Sequence, residues 1–181
     1  MGCDIHAYID YDWTRDDGEV FVWGFCHPNF RRDYSLFALM AGGIRDERQK
    51  QASYPVRGLP EKMSWATEGA YSLYVSDEDW AADAEGYCSR EDAERWTKPY
   101  RDGGESSSVW MNDEHSRVSH PDWHTASWLY PDEFEDCISK YHAQFEQGSG
   151  KVQPEVDAIL AAMRAFEARG HVVRLVFWFD N

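Results

Sequence analysis

Basic residues are scarce in this chain. Eighteen Lys and Arg stand against 33 Asp and Glu in 181 residues, for a formal net charge of −15. A field of that sign repels duplex nucleic acid and anionic membranes unless a local basic patch overrides it, so neither is expected as a partner. Long apolar runs are missing too. No stretch approaches the roughly 20 residues that cross a bilayer, and Asp4, His6, Asp10 and Asp12 interrupt the N-terminus too often for a signal peptide. Cysteine is sparse and scattered: Cys3, Cys26, Cys88 and Cys137 form no C-x-x-C pair. Free thiols packed as small hydrophobes are the expectation. The chain carries no nucleophile elbow, no glycine-rich phosphate loop and no zinc-protease signature.

Aromatic side chains are plentiful, at 15% of residues with nine Trp and ten Tyr. They fill cores, and they also stack on flat ligands. The first eleven residues alternate strictly. Cys3, Ile5, Ala7, Ile9 and Tyr11 fall on one side of an extended strand, and Asp4, His6, Tyr8 and Asp10 on the other. Asp17-Gly18 is a turn signal, and Glu19 to Phe25 reads as the returning strand of an antiparallel hairpin. Asp33 then caps a short helix that Gly42-Gly43 stops.

Residues 62–112 read as an insertion with two acidic helices, one after Ser76 and one after Ser89. His124 to Leu129 suits a third strand, followed by a helix near Asp132–Phe145. Pro154 suits the first turn of a long helix. His171 to Phe179 is apolar on both faces, as in a central strand. The expected fold is α+β. A mainly antiparallel sheet holds the N- and C-terminal strands, helices pack on one face, and 1–181 forms a single domain bearing the insertion.

Several side chains carry candidate chemistry. Asp4 and His6 share a strand face, where a carboxylate and an imidazole could order the N-terminus, act as a general base, or ligate a divalent metal with His27, His120 or His124. His120 and His124 have an i, i+4 separation, but Pro121 argues against a helix there. Arg31, Arg32, Arg45 and Arg57 cluster in a chain otherwise acidic, with Tyr34 and Trp65 nearby. Guanidinium groups grip phosphate and aromatic rings stack on bases, so this set could form a nucleotide pocket. The competing reading pairs each arginine with a surplus carboxylate. Arg57 stands out because Pro55 and Pro60 frame its loop.

The opening Gly2-Cys3-Asp4-Ile5-His6 resembles the start of a family of small phage and prophage proteins, mostly of hypothetical function. Arg32-Asp33-Tyr34-Ser35-Leu36-Phe37 is similar to that family's arginine-tyrosine-leucine-phenylalanine helix, and Arg57-Gly58-Leu59-Pro60 to its proline-flanked loop. Ser127-Trp128-Leu129 and the closing Val176-Phe177-Trp178-Phe179-Asp180-Asn181 share the likeness. The resemblance implies a phage origin, the cytoplasm of an infected bacterial host as the location, and termini that are major structural elements. It implies no activity.

Three functional readings stand open. The first is a binding protein for a small anionic or nucleotide-type ligand, sequestering a host immune signal. The second is a metal-dependent hydrolase of phosphoesterase type centred on Asp4 and His6. The third is an acidic inhibitor of a host defence protein. A homo-oligomer is compatible with each.

Overall fold

A computed structural model describes residues 3–42, 52–99, 108–146 and 153–180. The chain divides into two compact units, Met1–Ser64 with Thr125–Asn181, and Trp65–His124.

The first unit is built on the alternation of the N-terminal strand. β1 (Ile5–Thr14) turns through Gly18, whose φ of 85° only glycine adopts without strain, into β2 (Val20–Cys26). Two helices follow the same logic of caps and apolar stripes. In α1 (Tyr34–Ala41) the Asp33 Oδ1 accepts from the N–H groups of Ser35 and Leu36 at 3.1 and 3.2 Å. In α2 (Trp65–Tyr71), which begins the second unit, Thr67 and Tyr71 are buried.

The second unit is not the pair of acidic helices expected from sequence. It contains its own sheet. β3 (Ser72–Ser76) lies between β4 (Tyr87–Ser89), which runs parallel to it, and β5 (Arg117–Ser119), which runs antiparallel. The stretch after Ser76 forms only a single 3-10 turn at Asp79–Ala82, where Ala81 alone is buried. Too few apolar side chains sit there to hold a longer helix against solvent. The helix after Ser89 does form, as α3 (Arg90–Thr97), and the Ser89 Oγ caps it by accepting from the Asp92 N–H at 3.1 Å. Cys88, Ala93 and Val118 make a small core with Leu73, Val75, Trp96 and Trp110 around it.

The chain returns to the first sheet with β6 (His124–Leu129), passes through α4 (Pro131–Glu146) and α5 (Pro154–Glu167), and closes in β7 (Val173–Phe179). The sheet order is β2-β1-β7-β6, so the doubly apolar terminal strand is interior, as its composition requires. β1 and β7 are antiparallel, with Ile5 opposite Phe179, Ala7 opposite Phe177 and Ile9 opposite Leu175. That face packs with Leu36, Phe37 and Met40 of α1, Phe134, Cys137 and Tyr141 of α4, and Val156, Ile159 and Met163 of α5 into one core. Each fully buried Phe or Leu contributes about 1.5–3 kcal/mol. The α+β class, the sheet holding both terminal strands and the helices on one face are as the sequence predicts. Among the described residues no helix is long and apolar enough to cross a membrane.

Candidate functional site

The face of β1 turned away from that core carries His6, Tyr8 and Asp10. Their direct partners across the sheet are Trp178, Val176 and Arg174 of β7. This pairing builds a ladder of nearly parallel rings. His6 stacks on Trp178 with centroids 5.9 Å apart, Trp178 on Tyr8 at 5.3 Å, and Tyr8 on His27 at 4.5 Å with the planes 2° apart. Trp178 is fully buried, whereas His27 at the other end is exposed. Burial raises the Tyr8 phenol above its usual value. Desolvation of the covered part of the ring first, and the charge of His6 second, hold the His27 imidazole below its usual value, so its neutral form is favoured.

Asp180, one residue past β7, ties the two termini together. One carboxylate oxygen accepts from the Asp4 backbone N–H at 2.8 Å, and the other lies 3.1 Å from the His6 Nε2. A carboxylate only accepts, so His6 carries a proton on Nε2 in this pair. Arg32, just ahead of α1, closes the far side. Its guanidinium forks onto Asp4, with Nη2 2.6 Å from Oδ2 and Nε bonded to Oδ1. The Arg32 hydrogen bond holds the Asp4 carboxyl below the ordinary carboxylate range. The result is one continuous line of contacts from Arg32 through Asp4, Asp180, His6, Trp178 and Tyr8 to His27. Asp10 ends the row differently: it is fully buried and accepts from the Ser64 N–H at 2.9 Å and the Ser64 hydroxyl at 2.8 Å.

Of the arginines that the sequence suggests as one pocket, Arg31 and Arg57 each hold a carboxylate of their own. Arg31 reaches Glu155 at 3.1 Å. Arg57 grips Glu133 through two bonds of 2.7 and 2.5 Å, donates to the Trp128 carbonyl at 3.2 Å, and lies 4.3 Å from the Trp128 ring centroid. Arg57 is thus a clasp between its loop and α4. Tyr34 accepts from the Cys3 N–H at 3.3 Å through its hydroxyl. Arg45 lies outside the described residues. Trp65 is exposed at the start of α2 in the second unit.

His120 and His124 also belong to the second unit. The His120 Nδ1 accepts from the Asp122 N–H at 3.2 Å, and its ring packs on Trp123. Among the described residues no three His, Cys, Asp or Glu side chains are grouped to hold a metal ion. Asp4 bonds Arg32, and His6 lies against Asp180. Cys3 is buried on the core side of β1. The thiols of Cys88 and Cys137 are pushed up to about 11 by burial, far from nucleophilic range.

The alternation of β1 places Asp4 and His6 on one face, but Asp180 and Trp178 are not legible as their partners, because nothing local says that β7 pairs with β1 in this register. The signal was the apolar character of both faces of β7, which makes an interior strand whose neighbours must be sought at long range. Comparison with family models, with curated proteins and with solved structures found no match.

Proposed function

We propose that the chain binds a small anionic ligand of nucleotide type on the second face of the first sheet. The Tyr8–His27 tier is the ring platform and Arg32 the anion partner. The observation that carries this reading is the ring ladder with an exposed end, joined through His6, Asp180 and Asp4 to a half-exposed guanidinium. A base stacked on an aromatic platform gains about 1–3 kcal/mol regardless of its identity. Arg32 and Asp4 form an exposed pair, their side chains 54% and 47% accessible. Such a pair contributes little to stability and can exchange Asp4 for a phosphate without unfolding anything. The charge of −15 repels long polyanions but acts on a single small anion only through screened distant groups. In the phage setting that the sequence resemblance implies, sequestering a host nucleotide signal is the biological form of this reading.

A second reading has its own observation. Asp180 orients the His6 imidazole as a carboxylate orients a general base, which suits hydrolysis of a bound phosphoester. One experiment separates the two. Purified protein is titrated with AMP, GMP and cyclic dinucleotides by calorimetry, and each mixture is then analysed for products. Binding without turnover, weakened about tenfold or more by Arg32→Ala and by His27→Ala, supports the binder. Turnover lost on His6→Ala supports the hydrolase. Absence of binding and of products across the panel refutes both.

A further inference from the structure

Among the described residues β2 is the edge strand of the first sheet. The Arg15 N–H donates to the Glu19 carbonyl at 2.8 Å, so that pair is a hydrogen-bonded one. Bonded and non-bonded pairs alternate in an antiparallel ladder. Counting along the register, Trp13/Phe21 and Tyr11/Trp23 are bonded, while Thr14/Val20, Asp12/Val22 and Asp10/Gly24 are not. The Asp12 N–H confirms the phase, since it donates away from β2 to Val172 at 2.9 Å. The backbone groups of Val20, Val22 and Gly24 therefore point outward from the edge. Among the described residues no strand lies on that side.

Soluble proteins blunt such edges with charges, prolines or short strands. Val20-Phe21-Val22-Trp23-Gly24-Phe25-Cys26 has no charged residue and no proline. Its side chains are exposed as well: Phe21 at 38%, Trp23 and Phe25 at 48%, and Trp13 beside them on β1 at 51%. Trp13, Arg15, Phe21 and Trp23 line an apolar cleft of about 270 Å³.

We infer that β2 pairs antiparallel with β2 of a second copy of this chain, about a two-fold axis at Val22. Two features point to a second copy. The regular part of the strand, Val20–Gly24, is centred on Val22, and the register breaks just beyond it between Ile9 and Asp10. Pairing about Val22 places each Phe21 opposite the other copy's Trp23, so two exposed aromatic pairs are closed at once.

The test is sedimentation velocity on the full chain. The wild type is expected to sediment at twice the 21.0 kDa chain mass. Added salt should tighten the dimer, because it screens the long-range repulsion of two chains that each carry −15. Val22→Pro removes an outward N–H that β1 does not use, a change that edge strands tolerate. It should give a folded monomer with an unchanged far-UV spectrum. Trp23→Lys places a charge in the same interface and carries the test if the proline variant does not fold. A wild type that stays monomeric, or folded variants that still dimerise, would overturn the inference.

Discussion

Arg57→Met keeps most of the side chain's volume and removes the fork that holds Glu133. The fork supplies two charge-assisted bonds to Glu133 and one bond to the Trp128 carbonyl. Without it, Glu133 keeps only the Tyr130 N–H at 2.9 Å. Its side chain is 16% accessible and that of Arg57 25%, so the orphaned carboxylate is mostly out of water. Breaking a fully buried pair costs about 3–5 kcal/mol. Partial exposure reduces this, and the lost stacking on Trp128 returns about 0.5–1 kcal/mol of it. The expected loss is therefore about 2–3 kcal/mol, or about 5–10 °C in Tm for a chain of this size. The assay is urea unfolding of Arg57→Met, Glu133→Gln and the double variant, with a coupling energy of about 1–2 kcal/mol expected from the cycle. The pair should also weaken in acid. Burial pushes the Glu133 carboxyl up, but the Arg57 fork and the Tyr130 N–H outweigh it, so it sits below its usual 4.5. A depressed carboxylate stabilises the fold fully above that usual value, and the stability is lost as pH falls below it through the folded value. An Arg57→Met protein within about 0.5 kcal/mol of the wild type, but no longer able to bind a ligand, would refute this account and restore Arg57 to a binding role.

Three other measurements bear on the fold and the site. Asp33 caps α1 and also accepts from the Tyr141 hydroxyl and, at 3.2 Å, from the Gln153 amide. Asp33→Ala should cost about 2–3 kcal/mol in urea unfolding, more than a simple cap, and a loss under about 1 kcal/mol would show that the side-chain network adds nothing. The His27 ring should titrate by NMR with a midpoint under its usual 6.5, because the folded chain resists its protonation. Its contribution to stability is then complete above 6.5 and shrinks as pH falls below it, and a midpoint at or above 6.5 would contradict the stack as described. A thiol reagent should modify Cys26 in the native protein, slowly because partial burial raises its thiol, and Cys3, Cys88 and Cys137 only after unfolding, since those three are buried; equal labelling of all four would mean the core is open.

What could be read from the sequence is what depends on neighbours along the chain. The alternation of Ile5, Ala7 and Ile9 predicts a strand with one buried face, and β1 has it. Asp33 and Gly42 bound α1 because capping is satisfied within a turn on either side. The apolar double face of β7 predicts an interior strand, and the sheet order agrees. The second sheet was missed because β4 and β5 are three residues each, too short for period-two alternation to stand out from noise.

Pairing between distant side chains follows a different rule. Asp180 is 174 residues from His6 and Glu133 is 76 from Arg57, and no local spacing announces either contact. Charge arithmetic nevertheless limits the outcome. With 33 carboxylates for 18 basic side chains, nearly every arginine can find an acid, so a paired arginine is the expected state and is no mark of function. Accessibility is what distinguishes one from another. The Arg57–Glu133 pair is shielded and bidentate, and giving it up for a ligand would strand a carboxylate away from water. The Arg32–Asp4 pair is about half exposed on both sides, and both partners remain solvated when it opens. An incoming phosphate therefore meets little resistance at Arg32 and a large penalty at Arg57. For this reason the proposed ligand site lies on the face of β1 that carries His6 and Tyr8, whereas Arg57 holds its proline-framed loop to α4.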